Sequence, residues 1–565
     1  MNEYAWKRKN SKIPKNKEEL LTILLKNRGI KDPESFFHPP HPGDFIEKSD
    51  EFTKLTKNHV TPAVSMILNA MKQNLPIVIH GDYDVDGLTA AAILWRTIHN
   101  DLGYENVHPY IPNRFDEGYG LSTESINGIT KMLKDVENAK NDRPALIITV
   151  DCGITAIDTA KHAKKEGFTL IITDHHKKTE KTPKADQIIW TDKASGAGIA
   201  WILSHFLING AESQRSDKDL YLDLAAIGTI ADLQPLTGFN RSITLYGLKK
   251  LNSRPSEAIK ALKQTAGING NIGTYEIGWI IGPRLNASGR LQNAMESLRL
   301  LCSDNPRYTL KTALNLGSIN QTRQEKTQAD LEKAILQFKD IQNLPKFLVT
   351  ASKTYHEGVI GLVAGKLVQT YYRTSIAIAI DEKSNKAKGS ARSIKGISVI
   401  DTLRKFGHLF DNIGGHDMAA GFSMDPSKIP DLAASLNQLD EWDESIFNRE
   451  LEIDCEIAPD LINSETLSAI ELMQPFGQGN PEPMLSTHSL KIFNLSSFGL
   501  QNKHLKLYLQ DKNRNNFTAL AFGKGAMAFE LSPEDFVDIA FSLSMNTWNG
   551  QNRLELKIKD IKKST

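Results

Sequence analysis

The sequence predicts a multidomain α/β protein that begins with a parallel sheet and ends with a small β domain. Three short apolar runs, 77–80, 147–150 and 170–173, are each bounded by turn residues, which is typical of buried parallel strands. Residues 88–95 follow the first run and have helical propensity, so strand, turn and helix form one βα unit. Residues 490–558 instead alternate apolar and polar side chains with period two, the pattern of half-buried strands.

Length and composition limit the class of protein. A chain of 565 residues should divide into several domains, because single cores stop growing near roughly 250 to 300 residues. The net charge of +1 excludes a globally basic protein, so a nucleic-acid binder of this composition must concentrate its Lys and Arg side chains in a groove. No stretch approaches about 18 apolar residues, and no apolar core follows the N-terminal charges, so neither membrane insertion nor secretion is predicted.

Cysteine usage points to a reducing compartment. The three cysteines, Cys152, Cys302 and Cys455, are too few and too scattered for a disulfide framework or a zinc site. The sequence therefore predicts a cytoplasmic protein.

Acidic and imidazole side chains follow each of the three apolar runs. The segment Asp-Tyr-Asp-Val-Asp-Gly occupies 82–87, Asp151 follows the second run, and Asp-His-His at 174–176 follows the third. A fourth apolar stretch, 222–231, leads into Asp232, which we also expect at the end of a strand. Because ligands of open α/β sheets bind at the carboxyl ends of the strands, the sequence predicts that these side chains meet at one edge.

Such a cluster of carboxylates requires a counter-charge. Buried charges are tolerated only when they are paired or coordinate a metal, and crowded carboxylates repel one another. A mixed set of carboxylate and imidazole suits Mn²⁺ or Mg²⁺, and two such ions roughly 3.5 to 4 Å apart form the clamp used in phosphoryl displacement. An isolated Asp-His-His is more often a helix cap beside a core histidine. The four segments in order favour the metal site instead.

Further motifs connect the chain to a known family. They are Ile-Gly-Pro-Arg-Leu-Asn-Ala-Ser-Gly-Arg at 281–290, His-Glu-Gly-Val-Ile-Gly at 356–361, Gly-Ser-Ala-Arg-Ser at 389–393, Gly-Gly-His-Asp-Met-Ala-Ala-Gly at 414–421 and Pro-Phe-Gly-Gln-Gly-Asn-Pro at 475–481. With the acidic segments, they make the chain similar to the DHH phosphoesterases, and in particular to the branch that degrades single-stranded DNA. The resemblance extends from about Val60 to the C-terminus. One departure is the stretch 188–193, which is shorter than usual and lacks the family's Asn-Pro; it concerns the local loop and not the metal site.

The resemblance implies a parallel-sheet DHH domain and a second α/β domain of DHHA1 type, joined by a long helix and followed by a C-terminal β-barrel of OB-fold type. The predicted limits are an N-terminal segment at 1–59, the DHH catalytic domain at 60–305, the connector helix at 306–344, the DHHA1-like substrate domain at 345–445 and the OB-fold single-strand-binding domain at 446–565. Apolar residues at helical spacing within 324–342 support the connector, which Pro345 would stop. The runs 347–350 and 375–380 indicate strands of the second domain. From alternation alone, a β-sandwich would suit the C-terminal region equally well.

The implied activity is metal-dependent 5′-to-3′ exonucleolytic hydrolysis of single-stranded DNA to 5′-mononucleotides, in DNA repair and recombination. Two Mn²⁺ or Mg²⁺ ions would be held by Asp82, Asp84, Asp86, Asp151, His175 and Asp232, with Asp151 as the bridging ligand. His80 could be a further ligand or simply a residue at a strand end, and Asp174 could be a ligand or a support for one. His176 would orient His175 or touch the scissile phosphate.

The resemblance also implies residues that select the substrate. His416 would donate a hydrogen bond to developing negative charge from the opposing lobe, unless it is a structural histidine in a glycine-rich turn. Arg114, Ser390 and Arg392 could hold a terminal 5′-phosphate, because the planar guanidinium matches phosphate oxygens. A passage that admits one strand but not a duplex would explain the specificity.

Backbone contacts are expected on two further elements. Candidates to follow the DNA backbone are Arg284, Asn286 and Arg290, although either arginine could instead belong to a structural ion pair. Candidates on the barrel are Lys503, His504, Lys506, Lys524, Trp548 and Arg553. The expected partners are single-stranded DNA and, beyond it, a single-strand-binding protein and a helicase, with the protein itself a monomer.

Two other functions remain open at this point. A DHH enzyme that acts on a small substrate shares the metal motifs but would not need the connector helix and the barrel. A catalytically silent scaffold of the same fold would have lost metal ligands, whereas every acidic motif is intact here.

Overall fold

The computed structural model describes residues 4–113, 116–118, 120–136, 145–211, 217–339, 341, 343–548 and 551–564. The chain divides into two compact units. The first unit comprises His38–Ala329 together with Gly477–Asn480, and the second comprises Met1–Phe37, Asp330–Phe476 and Pro481–Thr565. Within the described ranges, none of the helices is both long and apolar enough to cross a membrane.

The secondary structure is as follows. The strands are β1 Ala5–Arg8, β2 Ile77–Gly81, β3 Val107–Tyr110, β4 Leu146–Val150, β5 Thr169–Asp174, β6 Gln187–Trp190, β7 Phe347–Ser352, β8 Thr374–Asp381, β9 Lys386–Arg392, β10 Phe410–His416, β11 Ala419–Met424, β12 Glu450–Ile453, β13 Cys455–Glu456, β14 Leu485–Phe498, β15 His504–Gln510, β16 Asn516–Ala521, β17 Phe536–Trp548 and β18 Gln551–Lys563. The α-helices are α1 Lys17–Asn27, α2 Pro33–Phe37, α3 Pro42–Lys48, α4 Asp50–Leu55, α5 Thr61–Lys72, α6 Val85–Arg96, α7 Thr123–Val136, α8 Ile157–Lys165, α9 Gly196–Gly210, α10 Leu222–Ala231, α11 Gly238–Ser253, α12 Glu257–Thr265, α13 Thr274–Glu276, α14 Gly282–Leu291, α15 Met295–Cys302, α16 Pro306–Phe338, α17 Ile360–Tyr371, α18 Val399–Arg404, α19 Ile429–Gln438 and α20 Ser464–Glu471.

The first unit is built on a parallel sheet with strand order β3-β2-β4-β5-β6. All residues of β2 and β4 are buried, because helices cover both faces of the sheet. Ile77 and Ile79 pack into one apolar cluster, whereas Val78 between them packs into another. The three strands predicted from the apolar runs are confirmed. Pairing of β2, β4 and β5 in register brings their carboxyl ends to one edge.

The predicted position of Asp232 at a strand end is wrong. The apolar stretch before it forms the helix α10, and Asp232 is the residue that caps its C-terminus. Leu222 through Ile230 are buried on every side, so no amphipathic period marks the helix in the sequence. A short apolar run of this kind cannot be assigned to helix or strand from periodicity alone, and here ten residues rich in Ala and Leu favour the helix.

The second unit contains a mixed sheet and a barrel. The sheet has the order β10-β11-β9-β8-β7, in which only the β7–β8 pair is parallel. The strands predicted at 347–350 and 375–380 are confirmed as β7 and β8. Helix α16 begins well before the predicted amphipathic stretch and ends at Phe338, while Gln342 lies outside the described residues.

Five strands, β14 to β18, close the C-terminal barrel. Neighbours pair in the order β14-β15-β16-β18-β17, and β17 returns to pair with β14. The barrel, and not a sandwich, is therefore the structure behind the period-two pattern. Leu20 and Leu24 of α1 lie in the same apolar core as Leu505 and Leu507 of β15, and β1 pairs with β12. The described N-terminal residues up to Phe37 thus belong to the second unit, and the predicted domain limits stay predictions.

The helix that leads to Asp232 packs against α11 through a glycine. A Cβ atom at Gly247 would lie 2.3 Å from the carbonyl oxygen of Leu222 and 2.5 Å from the Cβ of Ala226. We therefore expect Gly247→Ala to lower the free energy of unfolding by about 1 to 3 kcal/mol through overpacking. Urea denaturation followed by tryptophan fluorescence measures the change.

The matched control is Gly317→Ala in α16, where an added Cβ would meet nothing within 4 Å. Alanine is the better helix former, so this variant should keep or raise stability by up to about 1 kcal/mol. Equal destabilisation by both variants would contradict close packing of α10 on α11.

Candidate metal centre

The first acidic segment lies where β2 passes into α6. Asp84 caps the helix by accepting hydrogen bonds from the backbone N–H groups of Asp86 and Gly87, at 3.0 and 3.1 Å. Asp82 is buried and accepts from the N–H of Tyr83 at 2.8 Å. A Cβ at Gly87 would lie 2.6 Å from the backbone of Asp82, so only glycine allows the helix to begin this close. The local fold therefore holds three carboxylates within five residues.

Asp86 is fixed by a second helix. Its two carboxylate oxygens accept from the N–H groups of Gly196 at 2.6 Å and Ala197 at 2.9 Å, in the first turn of α9. These orphan N–H groups at a helix start favour negative charge. A Cβ at Gly196 would lie 2.5 Å from the Cβ of Asp151, and one at Gly228 would lie 2.5 Å from Oδ1 of Asp86. Glycines therefore let helices α9 and α10 approach the acidic cluster.

Asp151 combines backbone strain with an unpaired oxygen. It is buried, and its φ of +61° lies in the left-handed region, where a non-glycine residue costs about 1 to 3 kcal/mol. Its Oδ1 atom and Nε2 of His175 are both buried, both lack a hydrogen bond within the described part of the chain, and lie 3.0 Å apart. Two unsatisfied ligand atoms that face the same point fit a bound cation.

His175 links the strand-end acids to the turn after α10. Its Nε2 atom lies 3.7 Å from Asp86 and 3.6 Å from Asp232. On the other side of the ring, Nε2 of Gln234 lies 3.2 Å from Nδ1 of His175 and donates to Oδ2 of Asp232 at 2.7 Å. Sequence reasoning missed Gln234, and its only local signal is its position two residues after Asp232.

Asp174 is occupied by protein hydrogen bonds. Its Oδ1 accepts from the N–H groups of His175 and His176, at 2.7 and 3.0 Å, and from Nδ1 of His176 at 2.8 Å. Its Oδ2 accepts from the N–H of Ile154 at 2.9 Å. We interpret Asp174 as the residue that orients the two histidines, rather than as a ligand.

The candidate ligand atoms fall into three overlapping groups. Within the described ranges, the groups whose atoms all lie within 4.8 Å of one another are Asp82–Asp84–Asp151, Asp86–His175–Asp232 and Asp151–His175–His176. All six predicted ligands are included, and Asp151 and His175 each occur in two of the groups. The bridging role of Asp151 stays a prediction. The structure thus brings together the predicted set.

His80 stands apart from these groups. Its ring is buried at the end of β2, with Nδ1 3.5 Å from Sγ of Cys152 and the ring stacked on Tyr110 at 5.7 Å. Burial lowers the pKa of His80 to about 4, so the ring is neutral. Its Nε2 has no hydrogen-bond partner within the described residues, and the proposed ligand role stays a prediction.

The pKa shifts of the buried acids also indicate that the cluster needs positive charge. Burial raises the pKa of Asp86 well above its usual range, and the nearby charges of Asp232 and Asp84 add to the effect. Burial and the charges of Asp86 and Asp84 likewise raise the pKa of Asp151 well above its usual range. Burial acts to lower the pKa of His176, but its hydrogen bond to Asp174 and the charges of Asp174, Asp232 and Asp82 together outweigh this effect and raise the pKa to about 9. Divalent cations at this centre would hold the carboxylates ionised.

The predicted residues outside the cluster lie on other elements. Arg114 is outside the described residues. In the first unit, α14 carries Arg284, Asn286 and Arg290, and Arg284 donates to the carbonyl oxygen of Ile280 at 2.8 Å.

In the second unit, Ser390 and Arg392 share β9, and Nη1 of Arg392 donates to Oγ of Ser390 at 3.1 Å. His416 is exposed at the end of β10, next to Gly415 with φ of +147°.

The predicted barrel residues differ in their surroundings. His504 and Lys506 lie on β15, and Lys503 precedes it. Lys524 forms a largely buried ion pair with Asp560 at 2.9 Å, which favours a structural role. The remaining candidates are Arg553 on β18 and Trp548, whose side chain lies outside the described part.

Comparison with known proteins gives three family matches: the DHH family N-terminal domain at 76–229, the DHHA1 domain at 344–440 and the RecJ OB domain at 453–560. The single-stranded-DNA-specific exonuclease RecJ of Bacillus subtilis (strain 168) is 32% identical over 557 residues, which cover 96% of this chain and 67% of the relative. RecJ of Haemophilus influenzae is 31% identical over 91% of this chain and 94% of the relative.

Solved structures agree with this result. The crystal structure of RecJ from Thermus thermophilus in complex with Mn²⁺ superposes with a TM-score of 0.81 at 27% identity, covering 100% of this chain and 80% of that one. The crystal structure of its Mg²⁺ complex gives a TM-score of 0.74 at 26% identity, covering 100% of this chain and 79% of that one. The structure of this chain thus resembles proteins that hold either ion.

A metal-binding test follows from the crowded carboxylates. After removal of metal with EDTA, Mn²⁺ at a hundred times its Kd should raise the unfolding free energy of the wild type by about 2.7 kcal/mol for each ion bound. Asp151→Asn should lose most of this gain, because it removes the carboxylate shared by two of the ligand groups. Calorimetry with and without Mn²⁺ measures both.

Without metal, Asp151→Asn should be at least as stable as the wild type, since one of several repelling charges is gone. Asp158→Asn, on an exposed residue of α8, is the control and should respond to Mn²⁺ like the wild type. If Asp151→Asn kept the full response, the cluster would not be the metal site.

Proposed function

The chain belongs to the RecJ family, and from that membership and its acidic centre we propose that it hydrolyses single-stranded DNA from the 5′ end, releasing 5′-mononucleotides. The observation that carries the proposal is the cluster of five carboxylates and His175, with Oδ1 of Asp151 and Nε2 of His175 left unpaired within the described ranges. The setting in the cell would be DNA repair and recombination.

Two Mn²⁺ or Mg²⁺ ions held by Asp82, Asp84, Asp86, Asp151, His175 and Asp232 would supply a hydrolytic water of lowered pKa and neutralise charge on the phosphate. The chain contributes the geometry. Helix starts and glycines keep the carboxylates in place before substrate arrives, which avoids reorganisation during the reaction.

His176 is the residue we assign to the scissile phosphate. Asp174 engages Nδ1 of its ring, and Nε2, the other ring nitrogen, is a donor to an anionic oxygen when the ring is protonated. The hydrogen bond to Asp174 and the charge of Asp174 both act to raise the pKa of His176, against the effect of burial. His416, exposed in its glycine-rich turn, is our proposed second donor to developing charge.

The 5′-phosphate site is proposed at Ser390 and Arg392. A Cβ at Gly361 would lie 3.0 Å from both Oγ of Ser390 and Nη2 of Arg392, so these polar groups lie against the first turn of α17. A guanidinium, a hydroxyl and the N–H groups of a helix start are the chemistry that binds a phosphate dianion. Gly361 was part of a predicted motif, but its contact with Arg392 was not foreseen.

This placement predicts the direction of degradation. Strands labelled at either end should be shortened from the 5′ end, and a 5′-phosphate should be preferred over a 5′-hydroxyl by about 1.5 to 3 kcal/mol per charge-assisted hydrogen bond. Arg392→Ala should lose most of that preference and retain metal-dependent cleavage. Competition between the two labelled substrates measures it.

The matched control is Arg404→Ala, an exposed arginine that pairs with Asp401 on α18 of the same unit. It should leave the preference unchanged. Two results would contradict the proposed site and indicate a structural role for Ser390 and Arg392. One is shortening from the 3′ end, and the other is an Arg392→Ala variant that still fully prefers the 5′-phosphate over the 5′-hydroxyl.

The outer face of β15 and its neighbours is the proposed single-strand platform. Leu505, Leu507 and Leu509 point into the barrel, which places the residues between them, Lys506 and Tyr508, outside. Lys506 lies over the ring of Tyr508 at 5.2 Å.

Three rings continue this face. His504 contacts Phe498 and Phe522, with ring centroids 5.2 and 5.3 Å apart, and Phe522 is 56% exposed. Exposed rings beside a lysine are the arrangement on which bases stack, and the second and third strands of OB folds commonly carry it.

Binding measurements test the platform. Tyr508→Ala and Phe522→Ala should each weaken binding of long single strands by about 1 to 3 kcal/mol, the usual loss per stacked base. Lys506→Ala should reduce the slope of log K against log salt by about 0.7 if it contacts one phosphate. Fluorescence anisotropy in EDTA separates binding from cleavage.

Phe536→Ala is the control, because this exposed ring lies on β17 and outside the proposed face. If both aromatic variants bound single strands with normal affinity and Lys506→Ala left the salt slope unchanged, the DNA would bind at another surface.

The cellular setting and the partners complete the proposal. The three cysteines are free thiols, which supports action in a reducing cytoplasm. Delivery of substrate by a single-strand-binding protein and a helicase, and action as a monomer, follow from the family resemblance. A small-substrate phosphoesterase is disfavoured because it would not need the barrel.

A further inference from the structure

Four residues of the sequence motif at 475–481 belong to the unit that holds the metal centre. Gly477–Asn480 groups with the first unit, whereas the chain on both sides groups with the second. The four residues form a tight turn, in which the N–H of Gly477 donates to the carbonyl of Asn480 at 2.9 Å and the N–H of Asn480 donates back at 3.2 Å. Gly479 has a φ of +74°, a conformation that favours glycine.

This turn is packed on the segment that follows Asp232. The N–H of Leu236 donates to the carbonyl oxygen of Gln478 at 2.7 Å. A Cβ at Gly477 would lie 2.7 Å from Cδ1 of Leu236, and one at Gly479 would lie 3.1 Å from the Cβ of Pro235. Leu236 is buried, so its N–H needs a partner, and Gln478 provides it.

The segment held in this way carries two groups of the metal centre. Asp232 and Gln234 lie within four residues of Leu236, and Gln234 contacts both Asp232 and His175. Between them, Leu233 has a φ of +56° and is 72% exposed, so its own side chain does little to keep the strained backbone in place. Such a conformation persists only where the surrounding structure fixes it.

We propose that the turn Gly477–Asn480 is a positioning element for metal binding, which fixes Pro235 and Leu236 and thereby holds Asp232 and Gln234 against His175. The proposal rests on the proposed function, since it assigns the turn a task at that same centre. It gives the motif at 475–481 a role in the metal centre, although the motif lies far from it in the sequence.

Gly479→Ala is the decisive variant, and Gly267→Ala is its matched control. Both place alanine at a similar positive φ, +74° and +68°, but a Cβ at Gly267 would meet nothing within 4 Å. The two variants therefore share the backbone strain, and only Gly479→Ala must also displace Pro235. Mn²⁺ is titrated calorimetrically into the metal-free full-length proteins, and thermal unfolding is recorded in EDTA.

We expect Gly479→Ala to raise the Kd for Mn²⁺ by about tenfold or more, the usual effect of removing support from a metal ligand, while Gly267→Ala leaves it unchanged. Excess Mn²⁺ should restore kcat on single-stranded DNA with KM for the DNA unaltered, and the unfolding transition in EDTA should show that Gly479→Ala is folded before Mn²⁺ is added. Equal Kd values for the two variants would overturn the proposal.

A second pair keeps the test decisive if Gly479→Ala does not fold. Gly477→Ala presses on the side chain of Leu236, and Gly270→Ala adds a Cβ that meets nothing within 4 Å. Gly477→Ala should weaken Mn²⁺ binding and Gly270→Ala should not; no difference between them overturns the proposal. If the wild type binds Mn²⁺ but leaves single-stranded DNA intact, the proposed function fails while the titration still decides the role of the turn.

Discussion

Mutual repulsion among buried carboxylates is the constraint on which the rest of this structure depends. Asp82, Asp86 and Asp151 are buried within reach of one another, and burial with neighbouring charge raises the pKa of Asp86 and Asp151. Proton uptake would relieve the repulsion but remove the ligands, so the ionised state needs cations. Three features hold these carboxylates close together against their repulsion. They are the parallel sheet, the first turn of α9, whose N–H groups donate to Asp86, and the glycines that let the helices approach.

The part of this centre that the sequence predicts is the part encoded locally. Apolar runs such as 147–150 specify buried strands, and the residue after such a run must lie at the sheet edge, whatever the remaining chain does. Asp151 and His175 could therefore be placed at the sheet edge from the sequence alone. Asp232 could be grouped with them as a candidate ligand but not given its element, because a fully buried helix shows no amphipathic period.

The contacts that escaped prediction are long-range and involve small or neutral groups. Gln234 orients His175, and Gly361 lies against Arg392, but neither residue type signals its partner in the sequence. The edge strands β3 and β6 have only four residues each, and His108 and Pro109 interrupt the apolar pattern of β3. The assignment of Gly477–Asn480 to the first unit likewise depends on packing between segments more than two hundred residues apart, which periodicity cannot reveal.

Backbone strain at the metal centre adds a second free-energy cost to that of carboxylate repulsion. Asp151 and Leu233, both next to or within the ligand set, have left-handed φ angles of +61° and +56°, and each costs about 1 to 3 kcal/mol. Neither can relax without moving a carboxylate, since Asp151 follows the buried strand β4 and Leu233 follows the buried helix α10. The extensive core around these elements therefore offsets both strain and repulsion in the metal-free protein. Cation binding removes the repulsion but not the strain, so the rigid sheet and helices remain necessary in the loaded enzyme, where they hold the geometry that the chemistry requires.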